Sequence, residues 1–225
     1  MKQSKHKPIK SELLLPRGYL SWSALDLFEK SEDKYIRKYF YGEDVDFKNE
    51  FMTFGKKFAE AKETGNCNGD TILEIIVNST PSYGNPEYEI VIPLDTPYGT
   101  VNILCKLDDF NDKNIEIIEF KTGSTKWTQS RVDSHGQLHF YSVGIYAKHH
   151  IIPEGQLWWI PTKKHESGEV VPTGELHKFY FKSSPFEIKE MVRRITRAAL
   201  RIDKLYREHI KLCSTDNNGA PMPKN

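Results

Sequence analysis

The chain has 225 residues, 38% of them hydrophobic and 12% aromatic, and its 32 basic and 31 acidic residues leave a net charge of +1. That length supports one domain with a real core, and the charge balance excludes binding of nucleic acid through bulk charge, so any basic surface must be local. Three scattered cysteines without a CxxC pair argue against a disulfide framework or a zinc site; with no apolar run of membrane-spanning length and no apolar signal core after the N-terminal lysines, the expected setting is reducing and cytoplasmic, away from membranes.

Residues 1–19 form a lead-in rich in lysine (Lys2, Lys5, Lys7, Lys10), read as a disordered tail or as an electrostatic arm. Ser23, with Asp26 three residues on, predicts a helix start. Leu25, Phe28, Tyr35 and Tyr39 carry helical spacing into a second piece. After a charged loop over 42–50, Phe51–Thr64 is predicted to be a helix, with Phe54, Phe58 and Ala61 on one side. Gly55 and Ala59, four apart, allow close backbone approach there. Residues 65–69 break the helix, and 71–77 read as a short helix.

Strands are predicted at Tyr88–Leu94, Val101–Asp109 and Ile115–Thr122. The polar loop 123–128 holds Lys126 and Trp127. Its two readings are evenly balanced: a cation and an indole for nucleic acid, or a tryptophan packed on the domain. Val132–His149 reads as one helix, and its histidines have no metal-motif spacing. Gln156–Pro161 is a buried strand, placed parallel by the crossover helix before it. A further strand is expected within 170–181. Pro185 starts a helix to Leu212 with an apolar stripe and a basic one, Arg193, Arg197, Arg201 and Lys204. From Phe186 to Leu212 eight basic and four acidic residues give a net +4, either a solvated face or a phosphate track. Residues 213–225 read as a disordered tail. The fold class is α/β, a small mixed central sheet flanked by helices.

The chemistry concentrates at Ile118-Glu-Phe-Lys-Thr-Gly123. Residues two apart on a strand share a face, so Glu119 and Lys121 point one way, and Ile118, Phe120 and Thr122 the other. A two-residue turn at Lys113–Asn114 would pair Phe110 with Ile117 and Asp108 with Glu119, leaving Asp109 on the far face against Ile118. Asp108, Glu119 and Lys121 then share a surface. Two facing carboxylates suit a hard divalent cation, Mg²⁺ or Mn²⁺. A neighbouring lysine suits a water or a developing phosphate charge. The bland alternative is a cross-strand salt bridge.

These residues carry a resemblance. "CKLDDF…IIEFKTG…QLHFY" resembles the RecB-like branch of the PD-(D/E)XK nuclease superfamily, with its Gly-x-x-Asp, Asp/Glu-x-Lys-Thr-Gly and Gln-x-x-x-Tyr elements. Asp108, Glu119, Lys121, Gln137 and Tyr141 match; Cys105 stands where the family has glycine. The resemblance covers roughly Leu20 to Ile160, and it is similar to phage and bacterial exonucleases. It implies a restriction-endonuclease-like core over 20–212 and a Mg²⁺-dependent deoxyribonuclease acting on single- or double-stranded DNA in processing, recombination or repair. A viral chain would work in its host's cytoplasm. Asp108 and Glu119 would hold the metal, with Glu63, or Glu60 in competition, reaching it through water. Gln137 would lie near the metal or Lys121, and Tyr141 towards DNA. Some relatives hold an iron–sulfur cluster on four cysteines; Cys67, Cys105 and Cys213 are too few, so none is expected.

Overall fold

The computed structural model describes residues 12–45, 51–166 and 168–215. The expected tails therefore lie partly outside the described residues, as does the end of the 42–50 loop. In chain order the elements are β1 (Leu20–Ser21), α1 (Trp22–Lys30), α2 (Glu32–Tyr39), α3 (Phe51–Thr64), α4 (Thr71–Ser79), β2 (Pro86–Thr96) and β3 (Gly99–Asn111). Then follow β4 (Glu116–Gly123), α5 (Gln129–Asp133), α6 (Gly136–His149), β5 (Glu154–Lys164), β6 (Val170–Pro172), β7 (His177–Lys182) and α7 (Pro185–Thr215). The strands make a seven-stranded mixed sheet in the order β1-β3-β4-β5-β6, with β2 also on β3 and β7 also on β5. This is the mixed, helix-flanked sheet the sequence predicts. No described helix is long and apolar enough to cross a membrane.

Packing divides the chain into two units, one of residues 1–45, 93–103 and 192–225, the other of 46–92 and 104–191. In the first, Ser21 is extended and its side chain accepts the Ala24 N–H at 3.3 Å. The helix accordingly starts at Trp22, not after the predicted Ser23 cap. Ser31 caps α2 in the same way, through the Lys34 N–H. Tyr35 is buried, with Phe28 edge-on to it at 5.2 Å between ring centroids. The lead-in is tied down from Glu12 on: a β-bridge joins Glu12 to Thr100, and the Leu13 N–H reaches the Thr100 carbonyl. The apolar stripe of α7 is buried at Ile195, Ala199 and Ile202, and the helix runs three residues past the predicted end.

In the second unit α3 has the predicted bounds. Phe54, Phe58 and Ala61 pack with Leu73, Ile76 and Ile160. Phe58 stands edge-on to Phe120 at 5.2 Å, and a Cβ on Gly55 would come within 2.9 Å of Thr122 Oγ1. This is the close approach read from the glycine. Asp70 caps α4 through the Ile72 and Leu73 N–H groups.

The β3–β4 register is Asp109↔Ile118, Phe110↔Ile117 and Asn111↔Glu116, as predicted. The turn differs. Asn111 Oδ1 accepts the Lys113 and Asn114 N–H groups, and the left-handed residue is Ile115, not Asn114. The side-chain bonds of Asn111 close a four-residue turn, an Asx-type alternative to the two-residue one. β5 lies parallel to β4 from Glu116↔Glu154 to Gly123↔Pro161, as expected of a crossover. The predicted helix over 132–149 is two helices. Thr128 caps α5, and His135, at φ −77° and ψ 111°, leaves helical geometry before α6 begins. The predicted strand over 170–181 is likewise two, β6 and β7, both antiparallel to β5.

Gly155 is the tightest point of this sheet. A Cβ there would lie 2.1 Å from the Phe181 ring of β7, which is buried. Gly155→Ala is expected to destabilise the chain by about 1–3 kcal/mol through overpacking. Urea unfolding of Gly155→Ala, Phe181→Ala and the double variant checks it. The double variant should be more stable than the sum of the single losses predicts, because the truncated ring makes room.

Candidate functional site

The site is built on β4, α6 and the part of β3 from Leu104 on, all within the second unit. Alternation along β4 sends Phe120 to α3 and Lys121 to α6, so the two helices meet opposite faces of the strand. Where the pairing of β3 with β4 stops, past Asp109↔Ile118, Asp108 Oδ2 accepts the Phe120 N–H at 2.6 Å. A side chain thereby satisfies a strand donor and fixes the Asp108 carboxylate at the fork of the two strands. Asp109, on the far face, is buried and accepts the Tyr83 and Asn85 N–H groups at 2.5 and 3.1 Å. Its task is to clamp the loop before β2, and Asp108 is the aspartate of the site.

Lys121 Nζ donates to Glu119 Oε1 at 2.5 Å and to Gln137 Oε1 at 2.8 Å. Gln137 Nε2 in turn donates to the Tyr141 hydroxyl at 2.8 Å. The four-residue spacing on α6 stacks Gln137 and Tyr141, so one helix face delivers both. Glu119 is 2% exposed, and its second oxygen, Oε2, is buried without a hydrogen-bond partner. A buried carboxylate oxygen left bare costs energy unless something cationic or protic meets it.

Burial, and then the charge of Glu119, push the Asp108 carboxyl well above the usual range. Burial also pushes Glu119 up, against the pull of Lys121. For Lys121 burial favours the neutral amine, but the charges of Glu119 and Asp108 outweigh it and hold the ammonium. Tyr141 is raised well above its usual value by burial, then by Glu119. The site thus has a lysine that stays a cation and carboxylates that share too little positive charge. A hard cation fits that deficit, and the bare Oε2 of Glu119 offers it a donor.

The structure brings together Asp108, Glu119, Lys121, Gln137 and Tyr141. It corrects other expectations. Glu63 is exposed on α3, the helix that packs on the Phe120 face, and its charge is felt by Lys106. Among the described residues no group of three or more His, Cys, Asp or Glu side chains could hold a metal ion, so neither Glu63 nor Glu60 completes a triad. Trp127 is only 6% exposed, with Arg131 4.0 Å above its ring and His135 edge-on, so its indole is not offered to a base. Lys126 stays exposed, and its carbonyl accepts from Arg131. Tyr141 is buried, so its hydroxyl rather than its ring faces the site chemistry. In the first unit, Arg201 is bound bidentately by Glu32, and Arg194 by Glu29. The predicted phosphate track is interrupted there, because α1 and α2 supply carboxylates; Arg193 and Arg197 are exposed.

Sequence reading missed Glu87. It is the second residue of β2, with φ +52°, and its carboxylate lies 2.6 Å from Lys106 Nζ. Positive φ at glutamate leaves no periodic trace in a sequence.

The chain shares its fold with a candidate exonuclease. That protein, from Eubacterium rectale, superposes with a TM-score of 0.55 over 93% of this chain and 91% of its own, at 13% identity. A second solved structure, of the protein SSO0001, matches at a TM-score of 0.45 and 13% identity over 81% of this chain and 76% of its own, and carries no argument. No family model matches the chain, and no curated protein does.

The raised carboxyls set a pH dependence. A carboxyl with a folded pKa above its unfolded one contributes stability that is complete below the unfolded pKa and is lost as pH rises through the folded pKa. As pH rises through the folded pKa of Asp108, its burial and the Glu119 charge therefore weigh increasingly against folding. Asp108→Asn, which keeps an acceptor for Phe120, is expected to raise Tm at pH 7 in EDTA, by about 2–4 °C per kcal/mol recovered. The gain should shrink as pH falls through the folded pKa of Asp108. Thermal unfolding across that range decides it; a lower Tm for the variant at pH 7 contradicts the electrostatic account.

Proposed function

We propose that the chain is a Mg²⁺- or Mn²⁺-dependent deoxyribonuclease of the RecB-like PD-(D/E)XK kind, an exonuclease in DNA processing, recombination or repair. The observation that carries the reading is the Lys121 ammonium, fixed between Glu119 and Gln137 beside Asp108, with Glu119 Oε2 left bare. The resemblance of the three sequence elements supports it, and so does the fold shared with the candidate exonuclease.

Asp108 and Glu119 would hold the cation, which needs only one or two carboxylates and keeps several waters. Bound there, it would polarise the phosphate and acidify a water. Lys121 stays protonated and so serves as a donor, not as a base. It orients the attacking water or offsets charge growing on the phosphate oxygens. Gln137 holds the ammonium in one position. The Tyr141 oxygen already accepts from Gln137, which leaves its own proton free to donate. DNA contact at the site falls to Lys126 and Arg131, both exposed in the second unit.

Digestion of end-labelled linear and circular, single- and double-stranded DNA with Mg²⁺, Mn²⁺ or EDTA tests the activity. Cleavage that persists in EDTA, or no cleavage of any of these DNAs, contradicts the reading. Calorimetric titration with Mn²⁺ should show a site that Asp108→Ala loses.

Lys121→Ala separates catalysis from binding. It should bind DNA about as well as the wild type and cut about 10²–10³ slower in single turnover. Lys121→Met, which keeps the bulk of the stem, should be equally slow. Wild-type cutting by either variant would remove the lysine from the mechanism.

A further inference from the structure

Glu87 stands in an unusual place. It is a non-glycine residue in the left-handed region, at φ +52°. Such residues persist where the surroundings over-determine them. Here the loop before it is clamped by Asp109, which holds the Tyr83 and Asn85 N–H groups, and the Asn85 side chain donates to the Phe110 carbonyl at 2.9 Å. The clamp delivers the Glu87 carboxylate to Lys106 on β3, and Lys106 shares a strand face with Asp108, two residues on.

The region is acidic. Lys106 is held protonated first by its bond to Glu87, with further charge from Glu89 and Glu63. The negative charge of Glu87 also bears on Asp108 and on Glu119. An acidic group alone would mark nothing. The independent observation is Glu119 Oε2, on a side chain 2% exposed, with no hydrogen-bond partner.

We propose that Glu87 is an outer-sphere carboxylate of the cation site, acting on the cation through its coordinated water, with Lys106 as the competing counter-ion that restrains it. The inference rests on the cation reading of Asp108 and Glu119. It adds a third strand, β2, to the site without adding a direct ligand, in keeping with only two carboxylates gathered there. Outer-sphere partners of this kind typically change metal affinity about 10–100-fold when removed. Glu87 is a positioning residue, not a catalytic one.

The ion pair gives the proposal a signature. Glu87→Gln and Lys106→Met break the same contact. If the pair merely braces β2 against β3, both variants shift Mn²⁺ affinity alike or leave it unchanged. If Glu87 serves the cation, the two move in opposite directions.

The test is Mn²⁺ binding to the full chain without DNA, read by electron paramagnetic resonance. Asp108→Asn serves as the control for the direct site, and Glu89→Gln as the control for long-range charge. Thermal unfolding verifies that each variant is folded. The expected result is a loss of about 10–100-fold for Glu87→Gln, tighter binding for Lys106→Met, and little change for Glu89→Gln. Unchanged affinity in Glu87→Gln, with binding lost in Asp108→Asn, overturns the role of Glu87 and leaves the cation site standing. An equal loss in Glu89→Gln reduces the effect to general charge and overturns it as well. A wild type that binds no Mn²⁺ overturns the cation reading itself, and this inference with it.

Discussion

A carboxylate buried in a sheet has to be met by charge, and Glu119 is the residue on which the rest of the site depends. Removing an ionised carboxylate from water costs several kcal/mol even after relaxation. Lys121 answers one oxygen at 2.5 Å. That lysine is partly buried and also donates to Gln137, whose amide in turn donates to Tyr141. Each polar group is partnered by the next, and the chain of partners runs from strand to helix. Glu119 Oε2 is buried and has no hydrogen-bond partner.

The same desolvation makes the site a stability liability. Burial raises both carboxyls, the Glu119 charge adds to the cost of Asp108, and Lys121 does not offset them. A chain selected for stability alone would replace the trio with apolar residues, since well-packed apolar substitutes for buried ion pairs are often neutral or better. The surrounding packing carries the cost: Phe58 against Phe120 on one face, α6 on the other, and the Asp109 clamp beneath the neighbouring loop. The rigidity that holds the lysine in place and the apolar burial that strains the carboxyls have one source.

What was legible in the sequence follows from the range of the interactions. Strand alternation set Glu119 and Lys121 on one face, and hairpin register separated Asp108 from Asp109; both depend on residues within a dozen positions. Helical spacing likewise located α3, while the resemblance singled out Gln137 and Tyr141 and their spacing put them on one helix face. The errors have a different origin. Arg201 and Glu32 are 169 positions apart, so no local pattern showed that the basic stripe meets carboxylates. Trp127 was undecidable until Arg131 was seen to cover it. The break at His135 turns on capping by Thr128 and on one residue's backbone angles, which spacing alone does not register. Ser21 replaced Ser23 as a cap because two serines two apart are equivalent on paper.

Glu87 shows the limit most clearly. Its backbone conformation is one that sequence rules assign to glycine or asparagine, so a pattern search skips a glutamate there. Its position follows from Asp109, a residue that the register argument set aside as the wrong aspartate. The two adjacent aspartates thus divide the work by strand alternation. Asp108 lies on the Glu119 and Lys121 side and ends the β3–β4 ladder; Asp109 is buried on the other and fixes the loop that leads to Glu87. A substitution at Asp109 would alter the surroundings of Glu87 without touching it, because the Tyr83 and Asn85 N–H groups would lose their acceptor and the loop would lose the constraint that holds Glu87 in a strained backbone. Adjacency in the sequence and opposition in the sheet let one dipeptide govern both sides of the strand.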